Sequence, residues 1–176
     1  MTREERDAEY GHFVNDGLDG RTCGYNTVLF GYVKDHWWSA SVPQWHFTLD
    51  DIKPFGMVLG KQTAACLGVP VGTEVQPSKK YDTDFGSVPS FAWWVYSQER
   101  FAPTWLIHDS AYIFGYVWIR EPGSNLWHQH QVTRAQADHC WCEFGVLAQD
   151  GSKLDAALVF NAVNLFGWGV WAAHGR

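Results

Sequence analysis

Five polar residues of this chain have the types and spacing that acid–base or metal chemistry requires: Asp84, His108, Asp109, Tyr112 and Asp138. His108 and Asp109 interrupt the run Trp105-Leu106-Ile107-His108-Asp109-Ser110-Ala111-Tyr112-Ile113-Phe114, most of which is aliphatic or aromatic. A histidine there costs desolvation that a leucine would avoid, so a partner or a pocket must meet it. On a helix, His108, Tyr112 and Gly115 share one stripe, and Gly115 leaves room for a ligand or a neighbouring backbone. Asp109 is rotated by about 100 degrees from His108, which argues against a simple facing pair. A catalytic dyad would then take Asp138 or Asp84 as the carboxylate that orients the imidazole. Alternatively, Asp84, His108 and Asp109 would ligate a divalent metal and activate water.

Each of these residues also has a purely structural reading. Asp84 and Ser87 in Thr83-Asp84-Phe85-Gly86-Ser87-Val88-Pro89 are types that bind their own backbone in turns, and Pro89 suits the start of the next helix. Ser87 and Pro89 are assigned to such a turn. Asp138, near a helix N-terminus, complements the helix dipole. His139-Cys140-Trp141-Cys142 resembles a metal cluster, but cysteines two apart on a helix point about 200 degrees apart and cannot share one zinc. His128 and His130 read as solvated loop histidines. Of the aromatic pairs, Trp93-Trp94 reads as core, and Trp37-Trp38 as either core or a surface anchor.

The elements that must position these groups follow from periodicity and caps. The first forty residues, with Gly17, Gly20, Gly24, Gly31, Asn15 and Asn26, suggest loops and short strands. Trp45 to Asp51 and Gly72 to Gln76 alternate as strands. Ser90 caps a short aromatic helix, and Pro103 opens a helix that runs to about Ile119 and carries His108. Thr133 and Gln136 form a capping box for a helix to about Leu147, and Ser152 with Asp155 opens the last one. The expectation is one α+β domain over residues 1–176, a small, mainly antiparallel N-terminal sheet packed on three or four C-terminal helices.

Composition narrows the classes of function. With 13 Lys+Arg against 19 Asp+Glu, the net charge of -6 disfavours a nucleic-acid partner, since the nearest basic cluster is only Lys79-Lys80. The four cysteines, Cys23, Cys66, Cys140 and Cys142, lack the density of a disulfide framework and read as reduced thiols. Met1 to Asp7 has no apolar signal core, so a cytoplasm is the expected place of synthesis and residence. Leu154 to Ala173 approaches the length of a membrane span, but Asp155, Asn161 and Asn164 argue for a buried helix instead.

Four blocks then carry a resemblance: Tyr81 to Pro89; Leu106-Ile107-His108-Asp109-Ser110-Ala111-Tyr112; Thr133 to Asp138; and Phe160 to Gly167 with Trp171. Their order and spacing resemble the family known as domain of unknown function 1353. The likeness spans roughly residues 45–171 and leaves residues 1–44 as an atypical N-terminal extension. Gly86 also departs, standing where the family has Ala. The resemblance implies a frequent home in phage or prophage genomes and a polar set of Asp84, Ser87, His108, Asp109, Tyr112 and Asp138.

The helix-borne His-Asp followed by Tyr is also similar to the logic of a secreted phospholipase of the A2 type. That analogy implies His108 as general base toward water, Asp138 as the group fixing its tautomer, and Asp109 as a calcium ligand, although the glycine-rich calcium loop and the cysteine placements are missing. The leading expectation is a His/Asp-based hydrolase, with assistance from a divalent metal such as calcium or zinc as an option, acting on an ester or amide of a host envelope through His108, Asp138, Asp109 and Tyr112. The alternative is a non-enzymatic virion or tail accessory protein in which the same residues are scaffold and the partner is a neighbouring virion component.

Overall fold

The computed structural model describes residues 1–14, 32–33, 44–49, 54–83 and 101–173. Asp84, Ser87, Pro89 and the pairs Trp37-Trp38 and Trp93-Trp94 lie outside these residues. The architecture is α+β, as expected. Helix α1 (Arg3–Tyr10) leads into β1 (Gly11–Val14), followed by β2 (Tyr32–Val33), β3 (Gln44–Thr48), β4 (Gly56–Leu59), α2 (Lys61–Leu67), β5 (Glu74–Gln76) and β6 (Lys80–Thr83). Next come α3 (Ala102–Phe114), β7 (Tyr116–Arg120), β8 (His128–Gln131) and α4 (Arg134–Ala137). A π-helix (Asp138–Gly145) joins α4 to α5 (Val146–Ala148), and α6 (Lys153–Ala173) closes the described chain.

Two antiparallel sheets form, one of five strands in the order β1-β4-β5-β7-β8 and one of three in the order β2-β3-β6. The larger sheet therefore recruits β7 and β8 from beyond the helix that carries His108. The helix expected to reach Ile119 stops at Phe114. Gly115 adopts the left-handed conformation (φ 70) that a side chain resists, and it caps the helix by donating to the Ala111 carbonyl at 2.8 Å. The following Tyr-Val-Trp-Ile-Arg then alternates between intermediate and buried positions as strand β7. His128 and His130, expected in a loop, lie on β8, and His130 Nε2 is 3.1 Å from the Leu67 carbonyl at the end of α2. The N-terminus, expected as loops and short strands, opens instead with α1, which a Thr2–Glu5 capping box starts.

Other local expectations hold. Thr133 and Gln136 exchange capping bonds at the start of α4, and Ser152 and Asp155 do so before α6. Pro103 occupies the first turn of α3. Cys66, Cys140 and Cys142 are free thiols. No helix among the described residues is long and apolar enough to cross a membrane, but α6 is not the buried helix expected: Ala156, Val159 and Val163 form its inward stripe, while Leu154, Leu158 and Leu165 are exposed.

The core lies between the five-stranded sheet and the helices. Phe55, Met57, Val75, Val117 and Ile119 meet Leu106, Ile107, Trp141 and Val146 there, all essentially fully buried. Helix α3 sits at the centre and its whole span from Ala102 to Tyr112 is buried. This explains why an almost uninterrupted apolar run forms a helix here: it is covered on all sides rather than along one stripe. Two side-chain bonds from β6 and one backbone bond from the segment before it tie the three-stranded sheet to this helix. Ser78 N–H donates to Ser110 Oγ at 2.8 Å, the Tyr81 hydroxyl donates to the Leu106 carbonyl, and the Thr83 hydroxyl donates to Asp109 Oδ2.

Candidate functional site

Two rows of residues spaced four apart face each other across the α3–π-helix contact. His108 and Tyr112 project from α3, while Arg134, Asp138 and Cys142 project from α4 and the π-helix. Four-residue spacing keeps each row on one helix face. Thr104 and Gly145 set how closely the helices approach, because a Cβ at Gly145 would stand 2.8 Å from the Thr104 hydroxyl.

At the centre, His108 Nε2 lies 3.3 Å from Asp138 Oδ1, and the same oxygen accepts the Tyr112 hydroxyl. Arg134 Nε is 3.4 Å from Asp138 Oδ2 and also 3.4 Å from the Tyr112 oxygen. Arg134 is itself held by the Asn164 carbonyl of α6 at 2.6 Å. The other ring nitrogen, His108 Nδ1, lies 3.2 Å from Asp109 Oδ1. Adjacent helix positions diverge by about 100 degrees, yet the Asp109 side chain curls back to the ring. The pair that spacing argued against therefore exists.

The cluster is closed. His108 is 3%, Asp109 8%, Tyr112 3% and Asp138 2% exposed. Trp105 meets the imidazole edge-on at 5.7 Å, Tyr112 leans on it at 4.2 Å, and Trp171 covers Tyr112 at 4.9 Å. Helix α6 can pass this close because Gly167 has no side chain, and a Cβ there would come within 2.9 Å of the Tyr112 hydroxyl.

Electrostatics follow from this packing. Burial opposes a charge on His108, but the neighbouring Cys142 and the hydrogen bonds to Asp109 and Asp138 outweigh it and hold its pKa well above the ordinary 6.5. A protonated His108 would donate from both nitrogens, to Asp109 and to Asp138. Burial raises the Cys142 thiol, against the pull of His108. Burial likewise raises the Tyr112 phenol, helped by its bond to Asp138. With a protonated His108, Arg134 completes two cations against two carboxylates, which is how a buried ionic cluster stays tolerable.

The structure thus brings together His108, Asp109, Tyr112 and Asp138. The metal trio of Asp84, His108 and Asp109 cannot be assembled from the described residues, since Asp84 lies outside them. Three participants escaped the sequence reading: Thr83, Arg134 and Cys142. Arg134, Asp138 and Cys142 had a signal in their i, i+4, i+8 spacing; Thr83 had none. The divergence expected of Cys140 and Cys142 is real, with Cys140 facing the Thr63 carbonyl of α2 and Cys142 facing His108. His139 points away from the cluster and pairs with Glu143 at 2.8 Å.

The model of a family described as "Protein of unknown function (DUF1353)" matches residues 63–163, a narrower span than the resemblance from residue 45 to 171. No curated protein and no solved structure matches the chain.

Proposed function

Because the chain belongs to the DUF1353 family, whose description assigns no activity, we propose from its buried cluster that it is a hydrolase acting through His108, Asp138, Asp109 and Tyr112. The observation that supports this reading is the sharing of one carboxylate oxygen, Asp138 Oδ1, by His108 Nε2 and the Tyr112 hydroxyl. That sharing fixes the ring so that Nδ1 faces Asp109, the least buried of the four. At 3.2 Å the Nδ1 to Asp109 contact is long for a charge-assisted bond. A water entering between them would bond to both groups. Release of Asp109 also removes one of the carboxylates that keep His108 protonated, which moves the imidazole toward the neutral base that a water nucleophile needs. A divalent cation such as calcium on Asp109 would favour that release and stabilise the developing oxyanion. The substrate class, an ester or amide of a host envelope, draws on the phage setting that the resemblance implies.

The test is hydrolysis of a panel of activated esters and amides, with and without calcium or zinc. His108→Gln is expected to lower kcat/KM by about 10²–10⁴-fold while the far-ultraviolet circular dichroism stays that of the wild type. A folded wild-type protein that hydrolyses nothing on the panel under either metal would overturn the reading.

A second reading is favoured by one observation, the occupation of both ring nitrogens in a cluster closed by Trp105 and Trp171. Under it the protein is a virion or tail accessory component and the cluster is scaffold. It is then present in purified particles at fixed stoichiometry, and its absence from them would count against this view.

A further inference from the structure

We propose that His108 Nε2, Asp138 Oδ1 and Cys142 Sγ together form a binding site for one divalent transition-metal ion of the zinc type. One ligand atom from each of these three residues lies within 4.8 Å of the others, and all three residues are buried. Zinc holds nitrogen and oxygen at about 2.0–2.2 Å and sulfur at about 2.3 Å in a tetrahedron, which places ligand atoms roughly 3.3–3.8 Å apart. The His108–Asp138 edge already measures 3.3 Å. The three ligand atoms, within 4.8 Å of one another, reach these spacings by closing about 1 Å.

The donor chemistry selects the ion. A thiolate and an imidazole nitrogen suit zinc, and cobalt as its spectroscopic substitute, and they repel calcium and magnesium, which take oxygen. One thiolate and one carboxylate carry two negative charges against the two positive charges of the ion, so the loaded site is neutral in its buried setting. Three protein ligands leave a fourth tetrahedral position, the pattern of zinc sites that bind a further group.

The groups behind the ligands are what make this more than a chance meeting. A histidine that binds a metal donates its other N–H to a carboxylate or carbonyl, which fixes the tautomer. Here Asp109 stands 3.2 Å from His108 Nδ1 and is in turn held by the Thr83 hydroxyl. Asp138 is likewise supported, by the Tyr112 hydroxyl on Oδ1 and by Arg134 on Oδ2. Each of the two non-sulfur ligands thus already has its orienting partner.

The inference shares His108 and Asp138 with the hydrolase reading but does not depend on hydrolysis. The test uses the full chain, unfolded and refolded with cobalt or zinc so that the buried site can load. One equivalent of cobalt should remain after desalting and show a thiolate-to-cobalt charge-transfer band. Cys142→Ser and His108→Gln should lose the band and weaken zinc binding by about 10²-fold or more. Cys66→Ser should keep both, which separates this site from the neighbouring Cys66–Cys140 thiols. If Cys142→Ser does not refold, X-ray absorption of zinc-loaded wild type decides, with one sulfur and otherwise nitrogen or oxygen neighbours expected. Folded wild type that retains no ion, a band that survives Cys142→Ser, or two sulfurs around the zinc would each overturn the site. Zinc binding by a protein without hydrolase activity would remove the hydrolase reading and leave the site standing.

Discussion

Replacing Asp138 by alanine is expected to destabilise the protein by about 3–5 kcal/mol, the cost of leaving a buried charge without its partner. The carboxylate receives His108 Nε2 and the Tyr112 hydroxyl on one oxygen and faces Arg134 on the other. Its removal leaves the buried His108 ring and a phenol donor without their acceptor beside Trp105 and Trp171. Asp138→Asn keeps the shape and one acceptor oxygen, so its loss should be smaller than that of the alanine variant. Arg134 is less enclosed and keeps its bond to the Asn164 carbonyl, and Arg134→Ala should cost about 1–2 kcal/mol. Urea denaturation of the three variants checks the ranking. An Asp138→Ala protein within about 1 kcal/mol of wild type, the range of an exposed pair, would mean that the cluster is wet and contributes little to stability.

Stability should also fall steadily on the alkaline side, beginning near neutrality. His108 has a folded-state pKa raised above 6.5, the neighbouring Cys142 and the hydrogen bonds to Asp109 and Asp138 outweighing the effect of burial. Folding therefore binds a proton more tightly at this group. The stability it contributes is complete below the unfolded value and is lost as pH rises through the folded one. Cys142, raised by burial above 9.0, and Tyr112 and Tyr81, raised by burial above 10.0, have the same sign, because the unfolded chain releases their protons first. The three ordinary values order the loss, with His108 first, the thiol next and the phenols last. Chemical denaturation across pH 6 to 10 should show the decline in wild type, and His108→Gln should remove its early part while leaving the later one. A wild-type profile flat from pH 6 to 9 would show that folding leaves the His108 pKa unshifted, and one that rises from pH 6 would show that the buried ring is neutral.

Much of this arrangement can be read from the chain because local rules govern it. The caps at Thr133 and Ser152, the first turn at Pro103 and the strand at Glu74–Gln76 are settled by residues a few positions apart. The polar set on the apolar helix was legible because a buried histidine must find a partner, and Asp138 was one of two carboxylates placed to meet it. The end of α3 was not legible in the same way. Tyr116 to Arg120 continues an apolar pattern that fits either helix or strand, and pairing with β5 and β8, decided far along the chain, selects the strand. Helix α2 was missed because its seven residues, Lys61–Leu67, are too few for periodicity to stand out, and its span is fixed by Gly60 and Gly68 at its ends. Cys142 was set aside with Cys140 as a pair that could not share a metal. Taken singly and counted four from Asp138, it falls on the buried row.

The edge-on contact between Trp105 and the His108 ring gives the buried cluster an optical reporter. A protonated imidazole ring whose centroid lies 5.7 Å from that of an indole is close enough to perturb the indole's excited state, and a neutral or metal-bound ring perturbs it differently. Among eleven tryptophans, the signal of Trp105 is isolated as the emission that distinguishes wild type from its Trp105→Phe variant. The charge of a side chain that solvent hardly touches can thus be followed in light emitted from the same helix, three residues away.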